Sequence, residues 1–124
     1  LKSDLLPVLT AACEGRLPQQ RIDWDERVAL GVVLAAPGYP GDYPKGATIS
    51  DSGNDSDDQK VFHAGTKASG DSIVTSGGRV LCATALASSV QAAQAAANAR
   101  ASEVDFEGRW YRTDIGHRAI ARGA

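Results

Sequence analysis

The feature that most constrains this chain is the junction between Val28 and Gly46, where Val-Ala-Leu-Gly-Val-Val-Leu-Ala-Ala runs directly into Pro-Gly-Tyr-Pro-Gly-Asp-Tyr-Pro-Lys-Gly. The first half is continuously apolar, rich in β-branched valine and far too short to cross a bilayer. That predicts a strand buried on both faces at the centre of a sheet. In the second half Pro37, Pro40 and Pro44 remove backbone donors and fix φ, while Gly38, Gly41 and Gly46 permit positive φ; no regular element tolerates both at that density. The strand must end in a shaped loop that holds Tyr39, Tyr43 and Lys45. Such a loop serves as a turn over the core or as a contact surface.

With 124 residues the chain amounts to one domain with a modest core, or to a piece of something larger. It begins at Leu1 and contains no methionine, as expected of a fragment or excised domain. Thirteen basic and 15 acidic residues leave a net charge of −2, which argues against a nucleic-acid partner. No apolar run reaches membrane length and no leader pattern is visible, so no membrane partner is expected and cytoplasm is the expected location. Cys13 and Cys82 stand outside any ligand spacing and read as reduced, structural thiols.

Taken in order, Ser3 can cap a short amphipathic helix over 4–14 that Gly15 terminates, with Leu5, Leu6, Leu9 and Ala12 or Cys13 at helical spacing. Residues 16–26 read as a connector anchored by Ile22 and Trp24. The stretch from Thr48 to Asp58 is too polar to bury anything and predicts a solvated loop; it lacks the pattern of a calcium loop. Lys60–His63 and Asp71–Thr75 have strand character and suggest a hairpin, with Ala64-Gly65-Thr66 as a turn, and Arg79–Leu86 forms a further strand after the break at Ser76-Gly77-Gly78. Ser88 or Ser89 caps an alanine- and glutamine-rich helix over 90–101 that should pack close to a sheet and be structural. Val104 and Phe106 alternate with charges, Trp110-Tyr111-Arg112 continues extended, Thr113 or Asp114 caps a final turn, and the terminus frays. A single full helix among several strands predicts an antiparallel α+β domain.

Four stretches are candidates for chemistry: Gly38–Gly46, Phe62–Thr66, Ser76–Arg79 and Tyr111–Arg118. In Ser-Gly-Gly-Arg, glycines expose backbone amides beside a planar guanidinium, a combination suited to phosphate or carboxylate, although a hairpin turn with a solvated arginine is the plainer reading of these residues alone. His63, next to a turn, could donate to a ligand oxygen or satisfy a backbone carbonyl. His63 and His117 share no ligand spacing, so no metal is expected, and no nucleophile elbow is present. Arg112 and Asp114 could form an exposed pair of little energetic weight.

Together these stretches resemble the C-terminal domain of the phosphoribosylamine–glycine ligase (glycinamide ribonucleotide synthetase) family. The resemblance rests on Val32-Val33-Leu34-Ala35-Ala36-Pro37-Gly38-Tyr39-Pro40, Lys45-Gly46, Val61-Phe62-His63-Ala64-Gly65-Thr66, Thr75-Ser76-Gly77-Gly78-Arg79-Val80-Leu81 and Tyr111 to Ala119, in family order across nearly the whole chain. It implies a small antiparallel β domain of the barrel-sandwich-hybrid kind with flanking helices, packed against an ATP-grasp core that precedes it. It also implies part of an ATP-dependent ligase of purine biosynthesis that joins glycine to 5-phosphoribosylamine through glycyl phosphate. ATP and Mg²⁺ would be held upstream, so this chain would carry no catalytic, cofactor or metal residue and be inactive alone. Residues 1–20 would be the end of the core with its connector, and 21–124 the C-terminal domain. The substrate-facing residues so implied are His63, Gly65, Thr66, Gly77, Gly78, Arg79, Arg112 and Asp114. The acidic loop and the alanine-rich helix depart from the family pattern. The alternative is a stand-alone binding or structural module with the same fold.

Overall fold

Residues 1–123 are described here by a computed structural model. The order is α1 (Leu5–Cys13), a 3-10 turn (Leu17–Gln19), β1 (Val28–Ala35), β2 (Ser50–Asp51), β3 (Gln59–His63), β4 (Thr66–Ser69), β5 (Ser72–Thr75), β6 (Arg79–Ala87), α2 (Val90–Ser102), β7 (Val104–Asp105) and α3 (His117–Ala121). The main sheet is antiparallel with order β1-β6-β3, and β2-β7 and β4-β5 form separate pairs. This is the expected α+β architecture, and its strands do not close into a barrel. No helix among the described residues is long and apolar enough to cross a membrane.

Strand β1 is an edge strand, and β6 holds the centre. Nor is β1 buried on both faces. Leu30, Val32 and Leu34 are buried, whereas Ala29, Gly31 and Val33 are exposed. The register explains why. Leu34 on β1 and His63 on β3 both pair with Leu81, Val32 and Val61 both pair with Ala83, and this row faces α2. The alternate row, Val33, Cys82 and Phe62, lies on the open side. The run is continuously apolar because its second face is the wall of a cleft.

Helix α2 starts at Ser89, whose hydroxyl accepts from Ala92 N at 3.2 Å. Ala93, Ala97 and Ala101 are fully buried against the sheet, so the helix sits close to it. A larger side chain at Ala97 has no room and would cost about 1–3 kcal/mol.

The acidic stretch is not free in solvent. Arg100, on the last turn of α2, is 2% exposed. It donates to both carboxylate oxygens of Asp51 at 2.7 and 2.6 Å, to Asp55 at 3.2 Å and to Glu103 at 3.4 Å. Asp55 also accepts from Val61 N at 3.0 Å, and Ser52 N donates to Glu103 O at 3.0 Å. A guanidinium buried at that depth requires carboxylates around it, and the loop supplies them.

Other differences are local. The hairpin is β4–β5, with Gly70 at φ 59° in its turn, and β3 pairs with β6 instead. The 46–49 segment runs beside β5, where Ile49 N donates to Ile73 O at 2.9 Å and Thr75 N to Ala47 O at 2.9 Å. Asp4, not Ser3, caps α1; the Ser3 hydroxyl accepts from Asp23 N. Helix α3 begins after Gly116 rather than at Thr113 or Asp114. Both cysteines are free, but Cys13 is exposed rather than packed. Of the last residues, expected to fray, Arg122 and Gly123 donate their backbone N–H groups to Ala119 O and Ile120 O, and Ala124 lies outside the described residues.

Candidate functional site

Two strand connections meet at the lower end of the open sheet face. Gly65 O accepts from Ser76 N at 2.7 Å and Gly77 N at 3.0 Å, and Gly65 N donates to Arg79 O at 2.9 Å. The 64–65 link and the Ser-Gly-Gly turn therefore cross backbone on backbone. A Cβ on Gly65 would lie 2.6 Å from Arg79 O and 2.7 Å from Gly77 Cα, so side chains are excluded by contact. Gly78 is buried beneath the rings of Tyr39 and Tyr43, which stand 6.2 Å apart, and its carbonyl accepts from Ala36 N at 2.8 Å. The proline-glycine loop is thus fastened over the turn.

This crossing walls a cavity of about 550 Å³ lined by Val33, Tyr39, Tyr43, Gly65, Arg79 and Cys82, among others. A second, of about 220 Å³, adjoins it at Val33, Tyr39 and Arg79 and adds Trp110, Arg112 and Ile115. A register shift in the β1–β6 ladder next to Ala35 and Arg79 lets Arg79 share a side with Cys82 despite the odd interval between them. Trp110 is brought in by backbone pairing with Ala35 at 2.9 and 3.2 Å, and its indole donates to Ala36 O. The stretch that follows is held by α2: Gln94 donates to Ile115 O at 2.7 Å and Asn98 to Thr113 O at 2.9 Å.

Gly65, Gly78 and Arg79 line the larger cavity, Arg79 and Arg112 the smaller, and Gly77 packs behind Gly65. His63 lies elsewhere. It belongs to the row that faces α2, and its Nδ1 is 3.1 Å from Thr66 Oγ1, so these two residues engage each other at the rim of the fold. Asp114 accepts from Arg112 Nε and Nη2 at 2.8 and 2.7 Å. That bond holds the Asp114 carboxyl below the usual carboxylate range and raises the Arg112 guanidinium. Arg79 is exposed and, among the described residues, has no carboxylate partner. Tyr39, Tyr43 and Trp110 lie outside the substrate-facing set that the resemblance implies, although Tyr39 and Tyr43 sit on the proline-glycine loop, which reads as a turn over the core or a contact surface. Among the described residues no three His, Cys, Asp or Glu side chains cluster to hold a metal.

The family described as "Phosphoribosylglycinamide synthetase, C domain" matches residues 29–118, which contain the whole of this site. The chain belongs to that family. As a phosphoribosylglycinamide synthetase C domain it is 54% identical over 123 residues to the phosphoribosylamine–glycine ligase of Vibrio cholerae, and 54% identical over 125 residues to that of Pseudomonas syringae pv. tomato. Each alignment takes in 98% of this chain but only 29% and 28% of the relative. The crystal structure of the Thermotoga maritima phosphoribosylamine–glycine ligase superposes with a TM-score of 0.69 at 30% identity, over 86% of this chain and 27% of that one. The synthetase C domain therefore spans less than a third of the length of the relatives it matches.

Proposed function

We propose that this chain is the C-terminal part of an ATP-dependent ligase that joins glycine to 5-phosphoribosylamine in purine biosynthesis, releasing ADP and phosphate in the cytoplasm. What carries the reading is identity above half, over 98% of the chain, to proteins named for that reaction. The work left to this chain is to hold the phosphoribosyl substrate. Arg79 projects an unneutralised guanidinium into a cavity walled by the glycine crossing, whose Gly65, Ser76 and Gly77 amides are already bonded within it, and a guanidinium binds phosphate through two parallel charge-assisted bonds. Arg112, already neutralised by Asp114, adds a weaker field at the same place. Val33 and Trp110 form an apolar wall beside these charges.

ATP with Mg²⁺, when bound by the rest of the ligase, supplies the phosphoryl group that activates the glycine carboxylate. The residues present here do not fit either group: the described residues hold no three-ligand cluster, and the Ser-Gly-Gly-Arg turn is not the long phosphate loop ending in Gly-Lys-Ser/Thr. The test has two arms. The full-length protein should form glycinamide ribonucleotide from glycine, phosphoribosylamine and ATP, and the 124-residue chain alone should show no saturable ATP binding by calorimetry. No product from the full-length protein, or micromolar ATP affinity in the short chain, overturns the proposal.

A further inference from the structure

Helix α2 is largely alanine, so each of its larger side chains asks for a reason. Gln91 is exposed, and Arg100 holds the acidic loop. Gln94 and Asn98 are partly buried, one helical turn apart on a single flank. Asparagine is a poor residue for a helix interior, because its amide competes for backbone groups. Its Oδ1 is also buried without a partner among the described residues, which is a further cost. What both side chains do is donate away from the helix, Asn98 to Thr113 O at 2.9 Å and Gln94 to Ile115 O at 2.7 Å.

The flank continues in both directions. At its start Gly116 comes so near Val90 that a Cβ there would lie 3.1 Å from Val90 Cγ1, and at its end Arg109 Nη1 donates to Ala101 O at 3.5 Å. Positions 90, 94, 98 and 101 form one stripe of α2, and residues 116 to 109 run along it in reverse order. The stripe is the template for that stretch. Thr113 and Ile115 are the two neighbours of Asp114, which accepts from Arg112 Nε and Nη2. Arg112 Nη1 is left without a partner among the described residues, at the smaller cavity that Arg79 also lines. Gln94 and Asn98 themselves line neither cavity. We infer that they are positioning residues: through Thr113, Ile115 and Asp114 they set the direction in which Arg112 presents its remaining donor to the phosphoribosyl substrate. This deepens, and rests on, the reading of the chain as part of a ligase that holds that substrate.

The test uses the full-length ligase and two variants that roughly keep side-chain volume while removing the donor, Gln94→Met and Asn98→Leu. Asn98→Leu also removes the unpartnered Oδ1, so its urea midpoint should hold. In each variant the KM for phosphoribosylamine should rise about three- to tenfold, the worth of one hydrogen bond, with kcat and the KM for glycine and for ATP unchanged. In an Arg112→Ala background the same changes should have no further effect on that KM, because the group they position is gone. A lowered urea midpoint with every KM unchanged shows a merely structural role and overturns the inference. So does a rise in KM that simply adds to that of Arg112→Ala. If the wild-type protein forms no glycinamide ribonucleotide, the ligase reading falls by itself. The crystal structure of the double variant Gln94→Met, Asn98→Leu then decides the positioning: Arg112 displaced from the smaller cavity supports it, and Arg112 in its wild-type place overturns it.

Discussion

Arg100 and Arg79 are one residue type in opposite settings. Arg100 is buried at the end of α2 and ringed by Asp51, Asp55 and Glu103. Arg79 opens into a cavity with no carboxylate beside it among the described residues. The carboxylates raise the Arg100 guanidinium further, and its hydrogen bonds in turn hold Asp51 below the ordinary carboxylate range. A guanidinium enclosed in this way is spent on joining the acidic loop to the helix, and its Nε, which has no partner among the described residues, is buried out of a ligand's reach. One left unneutralised at a glycine-built opening can accept an anion from outside. The surroundings, not the residue, separate scaffold from site.

The largest effect should come from the loop. Replacing residues 51–58 by a Gly/Ser turn strips two carboxylates from a buried cation and should cost about 3–5 kcal/mol in urea unfolding. An unchanged midpoint would show that the loop does not hold Arg100. Arg100→Leu alone should cost less, about 1–3 kcal/mol, because Asp51 keeps 36% of its side chain in water and can rehydrate. Adding Arg100→Leu to the loop replacement should recover part of the loss, since the buried charge then disappears. If the two costs simply add, the cage is not a unit.

Acid tests the same unit. The folded-state pKa values of Asp51 and Asp55 are lowered, by the Arg100 bond and by Val61 N respectively. Their stabilisation is therefore complete above the unfolded carboxylate pKa and is lost as pH falls through it toward the folded value. The urea midpoint should drop between about pH 5 and about pH 3, and less so in Arg100→Leu. The smallest effect belongs to Arg112→Lys. Its pair with Asp114 is exposed on both sides, so the melting curve should not shift.

The regions differ in how far the sequence disclosed them. Ser89 and the alanine spacing announce α2, and the Val28–Gly46 junction announces both β1 and its loop, because those signals are local. That β1 is an edge strand with one open face is not local: valine and glycine facing a cleft read the same as valine and glycine in a core. Thr66 reads as the end of a turn, and residues 67–69 carry no strand signal, until their hairpin partner is known. The cage is invisible for the same reason, since Asp51 and Arg100 meet only after the fold closes. At the site, Ser-Gly-Gly-Arg and Arg112 stand out by composition. The contact of Gly65 with Gly77, and the roof of Tyr39 and Tyr43 over Gly78, depend on two separate connections crossing. His63 shows the converse: strand alternation sends it to the other side of the sheet from the cavity.

The contrast between the two arginines meets its most direct test in Arg79→Lys, made in the full-length ligase and assayed against phosphoribosylamine, glycine and ATP in turn. Lysine keeps the charge but loses the two-pronged geometry, and a charge-assisted contact of about 1.5–3 kcal/mol corresponds to roughly a 10- to 150-fold change. The account predicts a rise of about tenfold or more in the KM for phosphoribosylamine alone, with the urea midpoint unmoved. Unchanged constants for all three substrates, or a loss of stability in place of a kinetic effect, would contradict it.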